Sequence, residues 1–480
     1  MIRKTLLATT LTALAATGAA AQTTSPLSDG WLARADIMNR HDNPAGALDQ
    51  SRRALDSRLL TPTQRSDARF IRAVSALKCG NLELGRRLLE LYLEEEPATP
   101  DRYAAIMALG AADIASRQYA SALGRYAMLP SSPFDSEGNR ELDFNRAYCT
   151  MMLGDYDTAL RLFDAVGESG ELGADAHFYR GYIAYVKGDY DRALRLFKSV
   201  DRSRMPGAAA PFYEMEIDFS RQNYDSALAT ARKLLKSPAT QAEFIAECDR
   251  VAGESLYNLG RESEALPYLW QYAAVATTPA PSAYYILGVS EFNDGNNDAA
   301  IKLLQRAVGA ENAMAQSAYL FLGQAYLRRG DSDSALMAFE RAYEMDYDRN
   351  VRETAFYNYA VARMDGGRVP FGSSVRLLED FLREFPGSRY APKVRRYVVE
   401  GYMSQNDYEA ALESLNAATD LSPELRTARQ RVLFVMGTRE YTAGRYGKAL
   451  THLKEAATMT GSGVNASAVS YTHLRAHETT

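Results

Sequence analysis

Few side chains in this 480-residue chain have the type and spacing that chemistry requires. His473 and His477 stand four apart, which would set two imidazoles on one helical face as zinc ligands, yet no further Cys or His lies beside them. AGRYGKAL, from Ala443, resembles a phosphate-cradling loop, but its glycines are too close together for GxxxxGK[ST]. His177 falls in a helical stretch and reads as a packing or partly exposed residue. The cysteines are Cys79, Cys149 and Cys248, an odd number with no CxxC pair, and Cys149 sits mid-helix as a small apolar residue would. No motif supplies a neighbouring His to form a thiolate, and GxSxG, HExxH and EF-hand loops are absent from the sequence. The expectation is a non-enzymatic protein with no catalytic, metal or cofactor residues.

Carboxylates recur instead. Asp157, Asp191, Asp225, Asp298 and Asp333 each follow a turn, where a carboxylate can cap the next helix and complement its dipole. The segments around them repeat. LGDYDTALRLFDAV from Leu153 and KGDYDRALRLFKSV from Lys187 differ at four of fourteen positions. The small residue after the turn recurs at Ala47, Gly85, Ala122, Ala159, Ala193, Ala227, Ala265, Ala300, Ala335, near Val375, Ala411 and Ala449, at intervals of 34 to about 40 residues. In HFYRGYIAYVKGDYDRALRLF the apolar residues keep helical spacing, break at GDY and resume. Gly188 suits the helix end. Each unit therefore predicts two amphipathic helices, and such a pair buries its apolar face only by stacking on neighbours.

These features resemble the tetratricopeptide repeat family. Its first-helix glycine corresponds to Gly110, Gly181, Gly253, Gly288, Gly323 and Gly437, and its turn aromatic to Tyr119, Tyr156, Tyr190, Tyr224, Tyr408 and Tyr446. YLFLGQAYLRRGDSDSALMAFERAYEMD, from Tyr319, fits almost throughout. The first unit is weak, the unit near Val375 carries the insertion GGRVPFGSS, and the closing proline is often missing. The resemblance implies an all-α fold: a right-handed α-solenoid of about twelve helix-turn-helix repeats over residues 31–460. It also implies that first helices line a concave groove where protein or peptide partners dock. In that register the groove positions are Phe144, Tyr148, Phe178, Tyr182, Tyr185, Phe212, Phe219, Tyr257, Tyr285 and Phe292. If this band is a docking surface, its rings are partly exposed, with Tyr190 and Phe197 more buried. Most of the thirty tyrosines are explained by packing.

The ends and the overall composition set the context. MIRKTLLATTLTALAATGAAAQ has two cations, a short apolar stretch and small residues before Gln22, the pattern of a secretory signal peptide (1–21), followed by a linker (22–30). Its apolar stretch is too short for a membrane anchor, and no later run is long and apolar enough to span a bilayer. FLREFPGSRYAPKVRRYVVEGYMSQNDYEAAL, from Phe381, resembles the repeat variant of periplasmic proteins in outer-membrane assembly, which implies a bacterial envelope setting and an envelope complex. After GSGVN the periodicity stops. SYTHLRAHETT resembles translated sequencing-adapter sequence, so 461–480 reads as an unstructured, non-native tail. The composition is globular, 46% hydrophobic and 24% charged, and the net charge of −5 argues against a nucleic-acid partner. The function expected is a scaffold holding a protein or peptide segment. Its alternatives are the targeting half of a longer enzyme or signalling protein, and a glycan or cell-wall binding module.

Overall fold

The computed structural model describes residues 28–57, 60–95, 101–365, 371–418 and 421–459. The leader (1–21), the 461–480 tail with His473 and His477, and positions 366–370 of the insertion lie outside them. The chain forms two compact units, Met1–Val251 and Ala252–Thr480. Among the described residues there are 24 α-helices and no strand.

In the first unit the helices pair as hairpins: Ser28–Arg40 with Pro44–Asp56, Pro62–Lys78 with Leu82–Glu95, Arg102–Ala115 with Tyr119–Tyr126, Ser136–Met152 with Tyr156–Val166, Gly170–Val186 with Tyr190–Lys198, and Ala210–Ser220 with Tyr224–Lys236. The division between the units falls within Ala242–Asn258. In the second unit Gly253 packs on Leu269 of Glu262–Val275, followed by Pro281–Asn293 with Asn297–Ala307, Ala313–Arg329 with Ser332–Glu344, Arg349–Asp365 with Phe371–Glu384, Ala391–Ser404 with Tyr408–Asn416, and Pro423–Thr442 with Tyr446–Thr458. The fold is an all-α solenoid of helical hairpins, and even the weak first repeat and the interrupted tenth form their helix pairs.

The GDY turn works by division of labour. Gly188 takes the left-handed conformation (φ 77°), and Asp189 N–H donates back to Ala184 O at 2.9 Å, closing the first helix. Asp189 then caps the second helix, its carboxylate accepting from Arg192 N–H at 3.1 Å. Asp155, Asp331 and Asp407 accept in the same way from Thr158, Ser334 and Ala410. This corrects the sequence reading, which assigned the cap two residues later. Asp157, Asp191 and Asp298 lie in the first turn, where the dipole favours them, but pair outward to the next hairpin: Lys187 Nζ to Asp157 at 2.6 Å, Arg221 to Asp191 at 2.7 Å, Arg329 to Asp298 at 3.5 Å. The turn tyrosines expected from the sequence are each the first residue of a second helix.

Inside a hairpin, the marker alanines from Ala47 to Ala449 are completely buried. The first-helix glycine faces a large second-helix side chain sixteen residues on: Gly110 meets Tyr126, Gly181 Phe197, Gly253 Leu269, Gly288 Leu304, Gly323 Phe339 and Gly437 Leu453. A Cβ on Gly181 would stand 2.9 Å from Phe197 Cε1, inside van der Waals contact. Between hairpins of the first unit, buried Asp113 accepts from Arg86 and, at 2.7 Å, from Arg125 Nε, tying Leu82–Glu95 to the hairpin that follows. Its charge is compensated on both sides, so burial is tolerated.

The glycine contact gives a paired prediction. Gly323→Ala drives a methyl into the Phe339 ring and is expected to lower stability by about 1–3 kcal/mol through overpacking. Gly124→Ala, in an exposed helical position with nothing within 4 Å, is expected to gain about 0.5–1 kcal/mol from helix propensity. Thermal melting of the two variants beside wild type checks the opposite signs.

Candidate protein-binding groove

The expected groove residues divide into two kinds. In the first unit Phe144 and Phe178 are 3% exposed and Tyr148 only 9%, whereas Tyr182, Tyr185, Phe212 and Phe219 are half-buried. In the second unit Phe292 is buried, and Tyr257 and Tyr285 are half-buried. The expectation of partial exposure is therefore corrected for Phe144, Tyr148, Phe178 and Phe292. Phe197 is fully buried as expected, while Tyr190 is half-buried like Tyr182.

The cause is a neighbour that the family register did not single out. Tyr179 follows Phe178 and reaches back to the preceding hairpin, stacking on Phe163 (5.6 Å between ring centres, 14°) and covering Phe144 (5.9 Å) and Tyr148 (5.3 Å). Tyr213, 34 residues on, repeats this on Phe197 (5.7 Å, 19°) and Phe178 (6.0 Å). The signal lay in the sequence as a repeated Phe-Tyr pair, Phe178-Tyr179 and Phe212-Tyr213. In the second unit Phe292 is covered by Phe321 (5.4 Å) and by the Arg328 guanidinium, 3.7 Å from its ring centre.

What remains accessible in the first unit is a tyrosine cluster. Tyr182 and Tyr185 each pack on Tyr213 (5.4 and 5.3 Å), and Tyr185 approaches Tyr190 (6.2 Å). Beside them Arg250 donates to both oxygens of Glu216 (3.0 and 3.2 Å) and lies 5.2 Å from the Phe219 ring centre. Burial raises the Tyr182 phenol above its ordinary range and pushes the Tyr185 phenol up to about 12, so both hydroxyls remain protonated hydrogen-bond donors at neutral pH. Half-buried rings with a free hydroxyl edge offer apolar area and directed polar contacts together.

His177 Nε2 lies 2.8 Å from Ser199 Oγ, but Arg180 approaches Nδ1 at 3.5 Å. The tautomer that accepts from Arg180 carries its proton on Nε2 and donates it to Ser199, the reverse of a general base. Burial pushes the Cys149 and Cys248 thiols up to about 12, and all three cysteines are free. Among the described residues no group of three His, Cys, Asp or Glu is placed to hold a metal ion, and no helix is long and apolar enough to cross a membrane. The Ala443 stretch is an ordinary hairpin turn, with Gly444 at φ 76°.

Hairpins of this length, closed by a glycine and stacked through aromatics, define a helical-repeat protein. Residues 151–213, 250–315, 287–350 and 320–370 match one tetratricopeptide repeat model, and 402–425 match a second. The chain carries tetratricopeptide repeats over these segments. Solved structures similar to it include a tetratricopeptide repeat protein from Parabacteroides merdae (16% identity, 62% of this chain and 99% of that one, TM-score 0.36). Another is the C-terminal part of a TPR repeat-containing protein from Cytophaga hutchinsonii (18%, 52% and 97%, TM-score 0.37). A third is YrrB, a TPR protein with an unusual peptide-binding site (18%, 41% and 95%, TM-score 0.32). At these scores the superposition is partial, and the roles of those proteins do not transfer. No curated protein matches the chain.

Next to Arg250, Asp249 is buried, and burial alone raises its carboxyl from 3.8 to about 6. A folded-state value above the unfolded one means that the folded chain binds the extra proton. This group's contribution is complete below the unfolded value and is lost as pH rises through about 6. Asp249→Asn is expected to be more stable than wild type at pH 7.5, on the order of 2 kcal/mol, with the difference vanishing below pH ~4. Urea denaturation at both pH values checks this. An advantage that persists at the lower pH would mean that the carboxylate's charge is not the cause.

Proposed function

We propose that this chain is a non-enzymatic scaffold that binds a protein or peptide segment along the first-helix face of its N-terminal unit, in the bacterial cell envelope. The observation that carries the binding face is the Tyr182–Tyr185–Tyr213 cluster. These rings stay half-buried, whereas Phe144 and Phe178 on neighbouring first helices are consumed by packing. Aromatic side chains with one accessible edge bring large contact area at low entropic cost, the property that concentrates binding energy at interfaces. The tetratricopeptide repeats support the scaffold reading. Export rests on the signal-peptide pattern at 1–21 and the envelope setting on the repeat variant from Phe381; the repeat array assigned to 31–460 is the interaction region, with 461–480 outside it.

The test separates surface from framework. Tyr182→Ala with Tyr185→Ala is expected to leave most of the fold intact and to weaken partner capture from periplasmic extract about 30-fold, equivalent to about 2 kcal/mol. Phe178→Ala, in the core, is expected to lower stability by about 3–5 kcal/mol. Equal loss of stability in both variants with undiminished capture would place the binding surface elsewhere. Saturable retention on purified cell-wall polymer, lost in the double variant, would replace the protein partner with a glycan.

A further inference from the structure

Positive charge collects in the second unit at the edge where two hairpins join. FPGSRYAPKVRRY, from Phe385, carries Arg389, Lys393, Arg395 and Arg396 and no carboxylate, in a chain whose net charge is −5. It connects Phe371–Glu384 to Ala391–Ser404, so it lies at the opposite end from the turn leading into Tyr408–Asn416. The rings here belong to one apolar cluster, in which Tyr357 stacks on Tyr390 (4.1 Å between ring centres, 7°). Cations are seated on them. The Arg389 guanidinium lies 4.8 Å from the Tyr390 ring centre and donates to its hydroxyl at 2.7 Å. Lys393 Nζ lies 5.7 Å from the Tyr357 centre and 5.9 Å from that of Tyr397, and Arg396 lies 5.4 Å from Tyr397. Arg349, which begins the preceding first helix, lies 5.9 Å from the Phe385 centre.

These charges are not spent within the fold. Lys187, Arg221 and Arg329 each find an aspartate on the preceding hairpin, but Arg349, Arg389 and Lys393 are exposed and make no ion pair among the described residues. Arg396 meets Glu400 only at 3.6 Å. Glu353, which accepts from Ser388 Oγ at 2.5 Å, offsets one charge of the four. Lys393 also stands in the first turn of its helix, where the dipole favours a carboxylate and the sequence supplies none. Helix stability therefore does not account for the placement, and a local conflict of this kind marks a site kept for another purpose.

The arrangement selects among anions. The cations are held on four different rings, so they meet a row of phosphates better than a single one. Tyr357 and Tyr390 turn their faces to each other and cations lie over the rings, which leaves little for a nucleic-acid base to stack on. Pro386, Gly387 and Pro392 are exposed and uncharged between the cations. Lysine, arginine and tyrosine over a small apolar ground are the residues that sit at a lipid headgroup layer. We propose that this edge docks on an anionic phospholipid surface, with Arg349, Arg389, Lys393 and Arg396 taking headgroup phosphates. The contact is peripheral and electrostatic, and it does not rest on the tyrosine cluster of the first unit.

Co-sedimentation of the full chain with vesicles tests this. Binding to phosphatidylglycerol mixed equally with phosphatidylcholine is expected to exceed binding to phosphatidylcholine alone, and the excess to disappear as salt rises from about 0.05 to 0.5 M. Lys393→Gln is expected to weaken the excess about fivefold, and Arg389→Gln with Lys393→Gln about 30-fold, with circular dichroism unchanged. Arg195→Gln with Lys198→Gln removes the same charge from exposed positions of the first unit and is expected to leave vesicle binding as it was, as is Tyr182→Ala with Tyr185→Ala. Comparison among variants cancels whatever the rest of the chain contributes. No preference for the anionic vesicles, or an equal loss in the Arg195 and Lys198 variant, would overturn the proposal. So would inorganic polyphosphate, polyglutamate or oligothymidylate that binds with the Arg389 and Lys393 dependence while vesicles do not, which would assign the edge to a soluble polyanion.

Discussion

One contact recurs through both units: a glycine on the first helix of a hairpin, pressed against the side chain sixteen residues later on the second. Six hairpins use it, and the second-helix partner is Tyr126, Phe197, Phe339 or a leucine according to the space left. Two helices approach this closely only where one of them has no side chain, and the approach leaves room for a single large group. The spacing of sixteen in turn fixes how many residues the turn can hold. It explains why the turn keeps its length and a left-handed residue, Gly154, Gly188 and Gly330 in some hairpins and Arg117, Gln222 and Asn406 in others, while the exposed faces drift. A longer turn would slide the large residue away from the glycine and open a void.

A second set of contacts then joins hairpin to hairpin, and it determines what is left over for binding. Tyr179 and Tyr213 lie flat on Phe163 and Phe197 of the hairpin before, so each new first helix covers the aromatic that its predecessor presents. The cation-to-aspartate pairs lie at half-exposed to exposed sites and contribute little energy each. What they add is register, because each cation meets a carboxylate only when adjacent hairpins are in step.

The repeat, its turns and its closing glycines were legible in the sequence because they are local: each depends on residues within one hairpin. The caps were misplaced by two residues because two aspartates flank the turn tyrosine, as in Asp189-Tyr190-Asp191, and only the geometry tells which carboxylate turns inward. The groove was half legible for a different reason. Phe178 and Tyr182 share a helix face, yet one is core and the other surface, and the difference is made by Tyr213 on another hairpin. Periodicity reports which face a residue is on. It does not report how much of that face a neighbour covers.

That distinction separates the surfaces of the two units. In the N-terminal unit Tyr182 and Tyr185 have other tyrosines as ring neighbours, so their exposed edges carry hydroxyl groups and no net charge. In the C-terminal unit the chain's own guanidinium groups sit over aromatic rings, Arg328 over Phe292 and Arg439 beside Tyr408. A ring already facing a cation has that face occupied. The N-terminal unit uses the same contact at the edge of its tyrosine cluster, Arg221 over Tyr190 and Arg250 over Phe219. Ring neighbours thus vary from hairpin to hairpin, tyrosine in one place and guanidinium in another, while the glycine contact inside each hairpin stays the same.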